Sequence, residues 1–172
     1  MSNQQNNTLK EIASKIKLLL TDVDGVLTDG GVYYGPEGEV MKRFNIRDGM
    51  GVERLRAVGV EVGIITGENS PSVIKRAEKL QITLVALGCK DKVGKLYEIM
   101  EEFGYREEEI AYIGDDVNDL EVMQRVALPA TPSDGLPQIQ EIALYTCSKP
   151  GGNGAFRELA EMIIAARQSV ES

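Results

Sequence analysis

The sequence predicts a doubly wound, Rossmann-like α/β fold with a β-hairpin inserted after the first strand and no cap domain. Three observations carry this expectation: short apolar runs recur along the chain, amphipathic stretches separate them, and one two-armed segment breaks the alternation. With 172 residues, 42% of them hydrophobic, the chain is long enough for a substantial core. One compact domain over 1–172, with a hairpin insertion at 31–45, is the economical expectation.

Each element has its own reason. After a polar start that is expected to fray, Thr8 to Ile16 carries Leu9, Ile12, Ala13 and Ile16 at helical spacing. Lys17 to Thr21 then reads as a buried strand ending at Asp22. Gly31 to Asn45 has two strand-like arms around Gly35-Pro36-Glu37-Gly38, a hairpin signature. Its arms carry Val32, Tyr33, Tyr34, Val40, Met41 and Phe44, more apolar surface than a two-stranded ribbon hides alone, so a covering surface is expected. Further strands are predicted at 60–66, 83–87, 110–114, 127–130 and 142–146. Helices are predicted at 49–58, 70–80, 92–103, 119–126, 136–140 and 153–168.

Charge and composition exclude whole function classes. The chain has 19 Lys plus Arg against 27 Asp plus Glu, a formal net charge of −8, which disfavours broad binding to nucleic acid or to anionic membranes. It contains no histidine, which removes Ser-His-Asp triads, His-phosphoenzymes, His-based zinc sites and Cys-His nucleophiles. Carboxylate chemistry survives. Cys89 and Cys147 form no C-x-x-C pair, the N-terminal segment lacks an apolar signal-peptide core, and no apolar run reaches membrane-spanning length. A reducing, cytoplasmic setting is expected.

Ligands of an open parallel sheet gather at the carboxyl ends of its strands. The first predicted strand ends in Asp22-Val-Asp24-Gly25, the second core strand in Thr66-Gly67, and the strand at 110–113 runs into Gly114-Asp115-Asp116-Val-Asn118-Asp119. Lys92 opens the helix after the third. Carboxylates two apart beyond a strand can share a pocket, Asp22 as attacking oxygen and Asp24 as proton carrier. Crowded acids repel unless a hard divalent cation gathers them, which makes Asp22 and Asp115 candidate Mg²⁺ ligands. Lys92 and Thr66 then supply charge and donors to the equatorial oxygens of a phosphoryl group. Taken singly, Asp-x-Asp-Gly is a turn, Gly-Asp-Asp a loop or cap, and Lys92 a solvated lysine. Their convergence on one edge of one sheet is what argues for a site.

These four segments resemble the motifs of the haloacid dehalogenase superfamily of phosphohydrolases. Extended by the hairpin, by Phe44-Asn45-Ile-Arg47-Asp48-Gly49 and by Gly151-Gly-Asn-Gly-Ala-Phe-Arg157-Glu158, the likeness is to the small capless branch that contains the 3-deoxy-D-manno-octulosonate 8-phosphate phosphatases. The resemblance implies an aspartyl-phosphate on Asp22, acid/base work by Asp24, and Mg²⁺ held by the Asp22 carboxylate, the Asp24 backbone carbonyl and Asp115. It implies support from Asp116 and Asp119, and close backbone approach to the phosphate at Gly25. It also implies a homotetramer built through the hairpins, with Asn45, Arg47, Asp48 and Arg157 near the sugar acid. Gly67, Glu68 and Lys79 complete the implied contacts of the small phosphorylated keto-deoxy sugar acid. Members of the branch often have Arg where this chain has Glu68, and the Glu68/Lys79 combination resembles phosphatases of nine-carbon acids such as 2-keto-3-deoxynononate 9-phosphate. Because the rest of the chain resembles the octulosonate branch, the eight-carbon ester is the expected substrate and the nine-carbon ester the alternative.

Other classes stand further off. A non-catalytic oligomerisation module has no need of Asp24, and a phosphomutase is disfavoured by the lack of a large insertion between Asp29 and Thr66. Neither cysteine is followed at six residues by Arg, since Lys95 and Asn153 stand there, which disfavours a cysteine phosphatase. No Walker-type phosphate loop occurs.

Overall fold

The computed structural model describes residues 3–169. Its sheet places the first strand at the centre. Strand β1 (Leu18–Thr21) is followed by the hairpin β2 (Val32–Gly35) and β3 (Gly38–Lys42), then β4 (Glu61–Ile65), β5 (Leu84–Ala86), β6 (Ile110–Ile113), β7 (Leu128–Thr131) and β8 (Tyr145–Thr146). Six of these form one parallel sheet in the order β5-β4-β1-β6-β7-β8, while β2 and β3 make a separate antiparallel ribbon. The chain winds outward from β1 through β4 to β5, then crosses back to β6. That reversal opens a crevice between the carboxyl ends of β1 and β6.

Helices α1 (Asn3–Ser14), α2 (Ile46–Ala57), α3 (Pro71–Leu80) and α7 (Ala155–Gln168) cover one face; α4 (Lys92–Phe103), α5 (Leu120–Met123) and α6 (Pro137–Ile142) cover the other. Period-two alternation splits the strands between two cores. In β1, Leu19 packs with Ile64, Ile113 and Phe156, while Leu18 and Leu20 join Ile110, Tyr112 and Leu96 on the opposite side. Sheet residues buried on both faces account for the uninterrupted apolar runs in the sequence.

Boundaries follow capping chemistry. The expected frayed start is replaced by helix from Asn3, five residues before Thr8, and the first two residues lie outside the described ones. Helix α2 begins at Ile46 instead of Gly49 because the Asn45 side chain caps it, accepting from the Arg47 backbone N–H at 2.8 Å. Ser70 caps α3 with Pro71 in the first turn, and Asp91 caps α4 through the Gly94 N–H. Two expectations shorten. The predicted helix at 119–126 is a 3-10 turn at Val117–Asp119 running into the four-residue α5. The predicted strand at 142–146 is only Tyr145–Thr146, because Ile142 belongs to α6 and packs with the buried Ile139 of the same helix in the second core.

The hairpin keeps its apolar side chains in solvent within the single chain: Tyr34 is 74% exposed, Tyr33 60%, Val40 59% and Met41 53%. Pro36 and Glu37 form its two-residue turn, and the register shifts between Tyr33 and Tyr34. Phe44, just beyond β3, packs against the first core with the Arg76 guanidinium 5.6 Å from its ring centre.

Candidate active site

The crevice between β1 and β6 is a cavity of about 250 Å³ lined by Asp22, Asp24, Thr66, Gly67, Glu68, Lys92, Asp115 and Asp116, with Cys89, Lys90 and Asn118. Backbone pairing across the switch point, Asp22 N–H to Ile113 C=O at 3.0 Å, fixes where the first carboxylate leaves the sheet. One Asp22 oxygen then accepts from the Val23 N–H at 2.7 Å, and the other lies 3.0 Å from Lys92 Nζ.

Lys92, almost fully buried, also meets Asp119 at 2.6 Å. Asp119 is fully engaged: its Oδ1 accepts from Lys92 and from the Tyr112 hydroxyl at 2.7 Å, and its Oδ2 from the Asp115 N–H at 3.1 Å. Burial opposes the charged form of Lys92, but Asp22 and Asp119 together hold its pKa above the ordinary value. The ammonium stays charged where a phosphoryl oxygen would arrive.

Carboxylate atoms of Asp22, Asp115 and Asp119 lie within 4.8 Å of one another. Burial, then the neighbouring carboxylates, push Asp22 up to about 7 and Asp115 up to about 8, with Lys92 opposing in both cases. Asp115 Oδ1 is buried without a hydrogen-bond partner. A buried carboxylate oxygen without a partner, beside two further carboxylates that share a single lysine, is what a hard dication satisfies, so the donor set fits Mg²⁺. Asp119 already takes three donors, Asp22 takes two and Asp115 Oδ1 none, so Asp115 and Asp22 keep more acceptor capacity for the ion than Asp119 does. Asp116 is exposed and its carboxylate accepts from the Val117 N–H.

Gly25 shows why a glycine follows the second aspartate. Its φ is +83°, and an added Cβ would fall 2.0 Å from Asp115 Oδ2. Thr66 is buried at the end of β4, with its hydroxyl 3.3 Å from the Glu68 N–H.

The structure does not bring every sequence candidate to the cavity. Asn45 donates to the Gly152 carbonyl at 3.2 Å. Asp48, buried on α2, accepts from the Gly154 and Arg157 N–H groups at 3.3 and 2.9 Å and so caps α7, whose own cap residue Gly154 offers no side chain. Arg157 pairs with Glu161 at 2.6 Å, and Arg47 is exposed. Lys79 borders a separate depression with Glu53 and Arg56, and among the described residues no ion pair joins it to Glu68. The sequence reading missed Tyr112 and Lys42. Lys42 reaches both Asp24 oxygens at 2.6 Å, and strand alternation, which turns its side chain to the other face of the ribbon from the neighbouring Met41, was the available signal.

A parallel sheet with a nucleophile-grade carboxylate, a dication-ready acid pair and a buried lysine at its switch point defines a phosphoryl-transfer enzyme of the α/β class. The family profile of haloacid dehalogenase-like hydrolases matches residues 88–159. The 3-deoxy-D-manno-octulosonate 8-phosphate phosphatase of Yersinia pestis is 39% identical over 159 residues, 92% of this chain and 85% of the relative. The crystal structure of the Moraxella catarrhalis phosphatase of the same description, in complex with a magnesium ion, a phosphate ion and a KDO molecule, superposes with a TM-score of 0.91 at 36% identity, covering 96% of this chain and 95% of that one. The cobalt-bound Haemophilus influenzae phosphatase superposes with a TM-score of 0.89 at 36% identity, covering 91% and 92%. The chain belongs to the haloacid dehalogenase-like hydrolases.

Proposed function

We propose that this chain is an Mg²⁺-dependent phosphomonoesterase that releases phosphate from 3-deoxy-D-manno-octulosonate 8-phosphate, a step of lipopolysaccharide sugar biosynthesis. The observation that carries the reading is the switch-point cluster, in which Asp22 presents one oxygen beside Lys92 while Asp115 keeps a buried oxygen without a partner. The likeness to phosphatases of that sugar acid along nine-tenths of the chain supports the substrate.

In this reading Asp22 attacks phosphorus, the bond from phosphorus to the sugar oxygen breaks, and the Asp24 carboxyl gives its proton to that oxygen. Asp24 then takes a proton from water, whose oxygen bonds to phosphorus as the bond to Asp22 breaks. Thr66 and Lys92 hold the equatorial oxygens, Gly67 and Gly25 let backbone approach them, and Asp119 with Tyr112 steadies Lys92. Mg²⁺ held by the Asp22 and Asp115 carboxylates and the Asp24 carbonyl would neutralise the phosphoryl oxygens, with Asp116 at the rim.

Glu68 borders the cavity, where it would face the sugar. Asn45 and Asp48 act on the sugar side through the Gly151–Gly154 loop that they hold, with Arg47 and Arg157 on the flank of that loop. We further propose one phosphatase domain over 1–172, a homotetramer that covers the exposed hairpins, and a cytoplasmic location. Among the described residues no helix is long and apolar enough to cross a membrane.

The test is phosphate release with Mg²⁺ from the eight-carbon and nine-carbon keto-deoxy sugar acid phosphates at matched concentrations. A clear preference for the eight-carbon ester is expected. A preference for the nine-carbon ester would transfer specificity to Glu68, and no release from either would favour an oligomerisation module.

A further inference from the structure

Lys42 stands at the end of β3, outside the four strand-end segments, yet its side chain is 0% exposed. Burying an ammonium is costly unless anions meet it. Two do: Asp24, gripped through both oxygens at 2.6 Å, and Glu39 at 3.7 Å. Glu39 in turn accepts from the hydroxyl of Ser70, the residue that caps α3 just beyond Thr66 and Gly67. A continuous chain of contacts therefore runs from the loop after β4, through the hairpin, to the loop after β1.

The consequence shows in how the acids are sorted. Asp22, Asp115 and Asp119 converge within 4.8 Å, while Asp24, two residues from Asp22, stays out of that cluster and borders the cavity from the hairpin side. A carboxylate on a short side chain rotates readily unless something holds both oxygens. We propose that Lys42 is a positioning residue that orients the Asp24 carboxyl toward the leaving oxygen of the substrate and keeps it away from the cation site. The proposal rests on the phosphomonoesterase reading above. In the first half-reaction one Asp24 oxygen gives up its contact with Lys42 and carries the proton that passes to the sugar oxygen, as the sugar oxygen's bond to phosphorus breaks and the Asp22–phosphorus bond forms, while the other oxygen keeps accepting from Lys42. In the second half-reaction water returns that proton to Asp24 while the Asp22–phosphorus bond breaks. The hairpin thereby belongs to the catalytic apparatus of its own chain.

The experiment compares kcat/KM, with Mg²⁺, for 3-deoxy-D-manno-octulosonate 8-phosphate and for p-nitrophenyl phosphate, whose leaving group needs no proton. Lys42→Met is expected to lose roughly 10²-fold on the sugar ester and less than about threefold on the aryl ester, the size of a misplaced general acid. Lys42→Arg, which restores donors to both oxygens, is expected to recover most of the loss. Lys42→Gln keeps one donor and gives an intermediate ratio, which supplies the reading should the Met variant fail to fold. Equal losses on both esters, or no loss on either, would overturn the role of Lys42 while leaving the phosphatase reading intact. Wild-type enzyme that releases phosphate from neither ester would overturn the phosphatase reading itself, and Lys42's part with it.

Discussion

The crevice at the end of β1 and the hairpin that follows it invert the usual rule of what is buried. In the crevice Asp22, Lys92 and Asp119 are buried charges, each answered by a partner within 3.0 Å. On the hairpin, Tyr33, Tyr34, Val40 and Met41 are apolar and exposed, while the one lysine that faces the crevice is fully buried. Charge is concealed where low dielectric strengthens its action on substrate, and apolar surface is displayed where another protein surface can cover it. The ribbon thus combines one buried charge that reaches Asp24 with an exposed apolar surface.

The most severe test of this contrast is Asp22→Asn. It removes the nucleophile and is expected to lower phosphate release by roughly 10⁴-fold or more under saturating Mg²⁺; substantial residual turnover would end the covalent reading. The hairpin's exposed apolar surface is tested by Tyr33→Asp combined with Met41→Asp, which pair across the ribbon. Light scattering is expected to show smaller assemblies, and activity on the sugar ester is expected to fall by about 10-fold to 100-fold as crevice geometry loosens. An assembly of unchanged mass and full activity would detach the apolar face from function.

The cation site yields an effect on stability with a definite sign. Without metal, Asp22 and Asp115 titrate near 7 and 8 in the folded chain against 3.8 as ordinary carboxyls. Between about pH 4 and 8 the folded chain therefore holds protons that the unfolded chain has released. The stability contributed by the neutral carboxyls is complete below about pH 4 and is lost as pH rises through the folded values. Mg²⁺ must displace those protons to bind, so its stabilisation grows with pH. Melting curves are expected to show an Mg²⁺-dependent rise of about 5 °C at pH 8.5 and a smaller one at pH 6. Asp115→Asn is expected to raise the metal-free melting temperature at pH 8.5 and to erase the increment. Equal increments at the two pH values would mean that these carboxylates are not the ligands.

The two regions also differ in how much of them could be read from the sequence. Most of the crevice was legible because Asp22, Thr66 and Asp115 follow apolar runs of strand length and Lys92 opens the helix after the third core strand, so these four are placed by local pattern and the parallel-sheet rule together, whereas Tyr112 lies inside β6 and reads as core. Hairpin chemistry was not, because Lys42 meets Asp24 across 18 residues of chain and a lysine in a ribbon ordinarily reads as solvated. The same limit applies to Asp48, whose partners lie 106 and 109 residues away. The shorter misses are local: Asn45 as the cap of α2 was passed over, and Ile142 fits a strand as well as a helix until Pro137 and Ile139 fix the helical turn.

Asp48 gives the smallest effect and the finest discrimination. The resemblance places it near the sugar, whereas its two oxygens hold the Gly154 and Arg157 N–H groups at the start of α7. Asp48→Ala leaves both donors without that acceptor and is expected to cost about 2 kcal/mol of stability, read from denaturant midpoints at unchanged m. Asp48→Asn keeps one acceptor oxygen and is expected to cost about half as much. KM for the sugar ester then rises only as far as the Gly151–Gly154 loop slackens, so the two substitutions should rank KM and stability in the same order. A full-stability Asp48→Asn enzyme with a sharply raised KM would instead put the carboxylate on the substrate, and would extend the crevice across the glycine loop to α2.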